Sequence, residues 1–369
     1  MINSLLVGIG AAGNKAALEA LEQGIFKEED IIMINSTSKD FPEEFGGTKI
    51  VLSSKDTGCG KERKIGADYA LQAIKAGKLN IDIKSYSTVI IATSVEGGTG
   101  SGSSPIIAKY FNQVFNKNVH VFAFAGFEDD VRGMRNTVEF FQEIDPNLTV
   151  HAIRNKEFMR ECSNNKFRAE QAANAEMVRQ IRVLTGMDFI NSEQNIDDTD
   201  ILKVSNTSGY EIIEKTYLDK PLVDQDDFNR VIKKMIYNSK SVQVKEPKAI
   251  RIGIILNIDP ASEDAIDYTF ESLKASYGNP FESYMQKQWD GKKEYIAFIV
   301  SGMMMPLDAV KETYDKYKEA TSQINKNSDN FFKEVSGLEL DSEDDKFNMI
   351  KPTESGTSIE DFLKGLETK

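Results

Sequence analysis

The sequence predicts an α/β fold: a doubly wound parallel-sheet domain, a long central helix, a smaller α+β domain and a disordered acidic C-terminal tail. Three observations predict it. Short apolar runs rich in β-branched residues recur, each feeding a glycine-bearing loop. A helical apolar repeat then runs from Phe167 to about Met187. After it the strict strand–loop–helix order gives way to a mixed one.

Taken in order, Ser4 to Ile9 reads as the first strand. Gly8, Gly10 and Gly13 follow as G-x-G-x-x-G, and Asn14 to Gln23 continues as a helix with Ala17, Leu18 and Leu21 on its apolar side. That fingerprint suits a dinucleotide, but the second strand, Ile31 to Ile34, ends in Asn35-Ser36-Thr37. No acid that would hold a ribose occurs before Asp40. Lys49 to Leu52 is a third strand, and Gly58-Cys59-Gly60-Lys61 precedes an amphipathic helix from about Glu62 to Ala76. This is not a Walker A loop, because Glu62 stands where Ser or Thr belongs. Lys61, Arg63 and Lys64 suit either phosphate neutralisation or a solvated helix start.

Thr88 to Phe111 is the stretch around which the chain is organised. Val89 to Ala92 is a strand covered on both faces. Gly97, Gly98, Gly100 and Gly102 remove every Cβ that would hold a ligand off the backbone. Thr99, Ser101, Ser103 and Ser104 add hydroxyls, and Pro105 suits the first turn of a helix running to about Phe111. A strand entering a glycine loop at a helix N-terminus is an anion site. Val119 to Ala125 and Asn147 to Ile153 are further strands. Along the long helix Ala173, Met177, Ile181 and Leu184 mark the buried side. Ala249 to Ile258 and Glu294 to Gly302 are strands flanking a helix from about Ser262 to Tyr277, and Thr313 to Asn327 is a charged helix. The expected divisions are 1–166, a central helix at 167–190, 191–335, and a tail at 336–369 whose segment 358–366 forms one apolar helical face suited to a partner.

Composition bounds the function. The chain has 369 residues, 40% hydrophobic and 28% charged, which suits a soluble globular protein of two domains. A net charge of −13 argues against direct nucleic-acid or anionic-membrane binding. No apolar run approaches the ~18 residues of a membrane span. Cys59 and Cys162 form neither a disulfide framework nor a zinc motif, so a cytoplasmic location is expected. His120 and His151 have no spacing partner and read as structural, with no metal site assigned to protein side chains.

These loops together resemble the tubulin/FtsZ superfamily of GTPases, most of all the TubZ-type tubulins of plasmids and phages. Gly97, Gly98, Thr99, Gly100, Ser101 and Gly102 match its signature phosphate loop, with Glu96 where the family has a further glycine. By the same resemblance Gly10, Ala11 and Asn14 belong to the first phosphate loop, Asn35 and Thr37 to the second, and Gly58, Gly60 and Lys61 to the γ-phosphate loop. Glu128 and Arg132 match an E-x-x-x-R near the ribose and phosphates, and Asn155 and Asn174 match two asparagines that read guanine. Glu170 stands where the family often has an aromatic that stacks on the base. Asn195, Asp197 and Asp200 match the N-x-D-x-x-D of the catalytic loop, 21 residues after Asn174.

The resemblance implies GTP or GDP with Mg²⁺, and a head-to-tail homopolymer in which one subunit's Asp197 and Asp200 complete the next subunit's site. It implies a DNA-segregating or DNA-positioning filament that reaches its cargo through a DNA-binding adaptor docked near the C-terminus. The alternatives are an FtsZ-like division or phage-positioning tubulin and, from another class, an NAD-dependent oxidoreductase or a non-catalytic scaffold.

Overall fold

The computed structural model describes residues 2–187, 203–260 and 266–335, the side chains of 325–335 excepted. Asn195, Asp197 and Asp200 lie outside these residues, as do most of the expected tail and its 358–366 segment. The chain divides into two compact units, Met1–Tyr314 and Asp315–Lys369. The expected boundaries at 166 and 190 both fall within the first.

One ten-stranded sheet organises the first unit. Its strands are β1 (Ser4–Ile9), β2 (Ile31–Asn35), β3 (Thr48–Val51), β4 (Thr88–Ser94) and β5 (Asn118–Phe124), then β6 (Thr149–Ile153), β7 (Gly209–Tyr217), β8 (Arg251–Asn257), β9 (Glu282–Gln288) and β10 (Tyr295–Met303). Their spatial order is β3-β2-β1-β4-β5-β6-β7-β10-β8-β9. All neighbours from β3 to β7 run parallel, and β10 alone is reversed, pairing antiparallel with both β7 and β8. The α+β segment thus extends the same sheet rather than building a separate one. The chain leaves β1 toward β2 and β3, then returns to place β4 on the other side of β1. That reversal opens a crevice at the strand C-termini.

Eight helices are described: α1 (Gly10–Glu22), α2 (Arg63–Lys75), α3 (Gly98–Gln113), α4 (Val131–Glu143), α5 (Lys166–Leu184), α6 (Gln225–Tyr237), α7 (Glu271–Ser276) and α8 (Leu307–Val335). Alternate strand residues face opposite layers. Leu6, Ile90, Phe122 and Phe124 share one buried cluster with Ala17 of α1 and with Ala173, Met177 and Ile181 of α5. Asn165 caps α5, its side chain accepting a hydrogen bond from the Arg168 amide at 3.0 Å. Nineteen residues give α5 a length of about 28 Å.

Several boundaries differ from expectation. Helix α1 begins at Gly10 rather than Asn14, so Gly8 lies in β1 and Gly10 to Gly13 are already the first helical turn. Helix α3 begins at Gly98, which places Pro105 inside it rather than in its first turn. Pro105 removes the amide that would reach the Ser101 carbonyl, while one turn away the Ser103 hydroxyl donates to the Thr99 carbonyl at 2.6 Å. Strands β7 and β9 and helices α4 and α6 are not predicted from the sequence. Helix α7 is shorter than the expected 262–277, part of which lies outside the described residues.

Gly13 shows why the fingerprint has its spacing. A Cβ there would lie 2.0 Å from the Ala92 carbonyl oxygen of β4, so only glycine lets α1 rest on that strand. Gly13→Ala is therefore expected to lower unfolding free energy by about 1–3 kcal/mol, as overpacking does. Urea denaturation of wild type and variant measures it, and an unchanged midpoint would contradict the contact.

Candidate functional site

The crevice at the strand C-termini contains a cavity of about 420 Å³. Loops following β1 to β6 and one face of α5 enclose it. Gly10 and Ala11 enter from the first turn of α1, and Asn35 from the end of β2. Gly97, Gly98, Thr99 and Gly100 line it between β4 and the start of α3. The Ser101 amide is the first in that turn to bond back, to Gly97, so the amides ahead of it remain available to an anion. No heavy atom lies within 4 Å of where a Gly97 Cβ would stand, which leaves open space at the loop.

At another part of the wall stand Asn155, after β6, and Asn174, on α5. Asn155 is buried and its Oδ1 receives no hydrogen bond from the protein. Two convergent carboxamides offer donors and acceptors to the polar edge of a heterocycle. Glu170, one turn before Asn174, also lines the wall and lies 4.0 Å from Lys15 Nζ. Phe167, a further turn back, is 66% exposed and is not on the wall. The aromatic wall residues are instead Phe124 and Phe127. Sequence reasoning missed Phe127 and Lys15, although Phe127 directly follows Gly126 in the loop after β5.

Other expected residues support the cavity from behind. Asn14 is fully buried, and its Nδ2 donates to the Ile34 carbonyl at 3.4 Å, tying α1 to β2. Thr37 caps a short 3₁₀ turn, accepting from the Lys39 amide. Ser36 and Thr99 hydroxyls meet at 2.8 Å and join the second loop to the central one. Ser101 and Gly102 are buried in α3. Gly58 and Gly60 are exposed, and from their loop Lys61 alone reaches the wall.

The charged residues of this region are already engaged with one another. Lys61 Nζ lies 2.6 Å from Asp130, which holds the Asp130 carboxyl below its usual range. Arg132 lies 3.2 Å from Glu62 and donates to the Gly60 carbonyl, facing that loop rather than the cavity wall. Glu128 also stands off the wall. Its carboxylate pairs with Lys156 at 2.6 Å and accepts from the Thr313 hydroxyl at 3.1 Å.

Glu96 is the largest departure from the glycine-loop pattern, and the structure accommodates it. Its carboxylate turns onto the β5 end and accepts from the Glu128 amide at 3.0 Å. Burial raises its pKa, opposed by hydrogen bonds from the Glu128 and Phe127 amides. A Cβ on Gly126, whose φ is +66°, would lie 1.8 Å from the Glu96 carboxyl carbon. Gly126→Ala should cost about 2 kcal/mol or more, combining overpacking with the left-handed backbone. In a Glu96→Ala background the overpacking part should disappear. A double-mutant cycle by chemical denaturation measures the coupling, and additive effects would place Glu96 elsewhere.

With this geometry established, comparison with known proteins is direct. The sequence profile described as "Tubulin/FtsZ family, GTPase domain" matches residues 3–163. The tubulin-like protein TubZ of Clostridium botulinum C phage is 22% identical over 357 residues, covering 93% of this chain and 91% of that protein. Cell division protein FtsZ 1 of Thermococcus kodakarensis is 22% identical over 331 residues, covering 85% of this chain and 84% of that one. Among solved structures, CetZ2 from Haloferax volcanii, described as a GTPγS-bound protofilament, superposes with a TM-score of 0.70 at 12% identity. The match covers 87% of this chain and all of CetZ2. Residues 3–163 are therefore a tubulin/FtsZ-family GTPase domain, set within a fold of the tubulin type.

Proposed function

We propose that this chain binds and hydrolyses GTP and assembles head to tail, with hydrolysis completed across the subunit contact. The observation that carries the reading is the cavity itself. It combines free glycine-loop amides, Lys61 on the wall and two asparagine carboxamides, Asn155 and Asn174, in one crevice. The amides and Lys61 would cradle the phosphates, and Asn155 and Asn174 would read the guanine edge. Mg²⁺ would neutralise phosphate charge, with Asp40 and the loop hydroxyls as the nearby oxygen donors.

Helix α5 gives the mechanism its geometry. Asn174 lines the nucleotide cavity, and the helix runs on for ten more residues, about 15 Å, before the chain reaches Asn195, Asp197 and Asp200. These acids would act on the GTP of an adjoining subunit, orienting or deprotonating the attacking water. A free subunit then holds an incomplete site. CetZ2, a structural neighbour described as a protofilament, supports the assembly.

In the cell such a polymer would position or segregate plasmid or phage DNA from the cytoplasm, reaching it through an adaptor held by the C-terminal region. The acidic net charge of −13 favours indirect contact with DNA. A division role is the second reading, favoured by the extent of the match to the archaeal FtsZ 1.

Asp197→Ala and Asp200→Ala are expected to bind GTP and form filaments but to lose about 10²-fold or more in turnover, the scale of a lost positioning group. Phosphate release measured alongside light scattering tests this, and wild-type turnover in both variants would eliminate the shared site. For the unaltered protein, GTP turnover per subunit should rise above a critical concentration, with no comparable activity on ATP or NAD. A rate independent of concentration would remove the assembly step.

A further inference from the structure

His120 and His151, isolated in the sequence, meet in space. His120 is the third residue of β5 and His151 the third of β6, and both are buried. The register pairs Phe122 with His151 and Val150 with Tyr210, so His151 also stands beside Glu211, the third residue of β7. Glu211 is completely buried. All three side chains project from the sheet face that packs on α1 and α5, the face that Phe122, Ile153 and Ile213 share.

Two of the three separations match the spacing of a coordination sphere. His120 Nδ1 and His151 Nε2 lie 3.2 Å apart, and His151 Nε2 lies 3.4 Å from Glu211 Oε1. The three ligand atoms all fall within 4.8 Å of one another. A tetrahedral ion with bonds of about 2.0–2.1 Å spaces its ligand atoms about 3.3 Å apart.

Hydrogen bonding explains the cluster poorly. One ring nitrogen, His151 Nε2, faces both neighbours, yet it carries either one proton or one lone pair. Neither Glu211 oxygen has a hydrogen-bond partner, and His151 Nδ1 has none. A buried carboxylate left in that condition is costly, and a cation between the three groups removes the cost. Burial holds both imidazoles in the neutral form that ligates metals. Phe122 stacks on His151 at 3.8 Å with a 4° interplanar angle and fixes the ring plane. Asn206 hydrogen-bonds His120, as an outer partner of a metal-bound imidazole does.

We propose that His120, His151 and Glu211 form a buried site for a divalent transition-metal ion of the zinc type. Two imidazoles and one carboxylate form a donor set suited to Zn²⁺. The ion would clamp β5, β6 and β7 where the sheet is least secured by its own ladder, because β6 and β7 share only two registered pairs. This site is separate from the nucleotide cavity and does not depend on the GTPase reading.

The test uses the full chain freed of nucleotide. Protein from Zn²⁺-supplemented culture, and protein refolded with Zn²⁺, is passed over chelating resin and its metal content measured. About one Zn²⁺ per chain is expected, with a melting temperature several degrees above that of protein refolded in EDTA. His151→Gln and Glu211→Gln should each reduce retained Zn²⁺ to near zero. Absence of retained Zn²⁺ from wild type by both routes would overturn the proposal, as would full retention in the double variant. Should the variants not fold, X-ray absorption of zinc-loaded wild type decides. A shell of two imidazoles and an oxygen supports the site, and a sulfur-containing shell overturns it in favour of Cys59 or Cys162.

Discussion

The close approach of α1 to β4 is the contact on which the nucleotide crevice depends. Gly13 lets the helix backbone meet the Ala92 carbonyl without an intervening Cβ. That approach sets the start of α1 beside the start of α3. A Cβ on Gly10 would stand 3.2 Å from the Gly100 amide nitrogen. Two helix N-termini are thus brought to one opening, where their unpaired amides and dipoles act together on an anion. The strand reversal between β1 and β4 supplies the opening, and the glycines keep it clear.

Around this opening three cations are paired with acids. Lys61 meets Asp130, Arg132 meets Glu62, and Lys156 meets Glu128. A ligand anion at the wall would compete with Asp130 for Lys61, which links the Gly58–Lys61 loop to the start of α4. Glu96, which also lines the cavity, turns its carboxylate onto the Phe127 and Glu128 amides. Gly126 supplies the space for that turn.

Much of the site was legible in the sequence because its parts are local. A strand, a glycine turn and a helix start occupy a dozen residues, so Gly10, Gly97 to Gly100, Asn155 and Asn174 could be named from pattern and resemblance. What was not legible depends on pairings between distant residues. The engagement of Glu128 with Lys156 and Thr313 joins residues 185 positions apart. Strand β7 escaped notice for a different reason. Its interior carries Glu211, Glu214 and Lys215, all nearly fully buried, which breaks the apolar signature of a strand. Lys215 lies 4.0 Å from the Tyr295 ring centre, a contact across β7 and β10 that no sequence window contains. The histidines looked unconnected because their meeting is made by sheet register.

The reversed strand β10 has a consequence for how the chain folds. It lies between β7 and β8 yet comes last in the chain among the described strands. While the ribosome is still making residues before Tyr295, β7 has a neighbour on one side only, and β8 and β9 form a detached pair. During that interval β7 presents an open edge with Ile212 and Ile213 beside it, and an edge of that kind can pair with another chain. Completion of the sheet is therefore a late, long-range event. Non-local pairing of this kind carries a loop-closure cost that local strand–helix units do not.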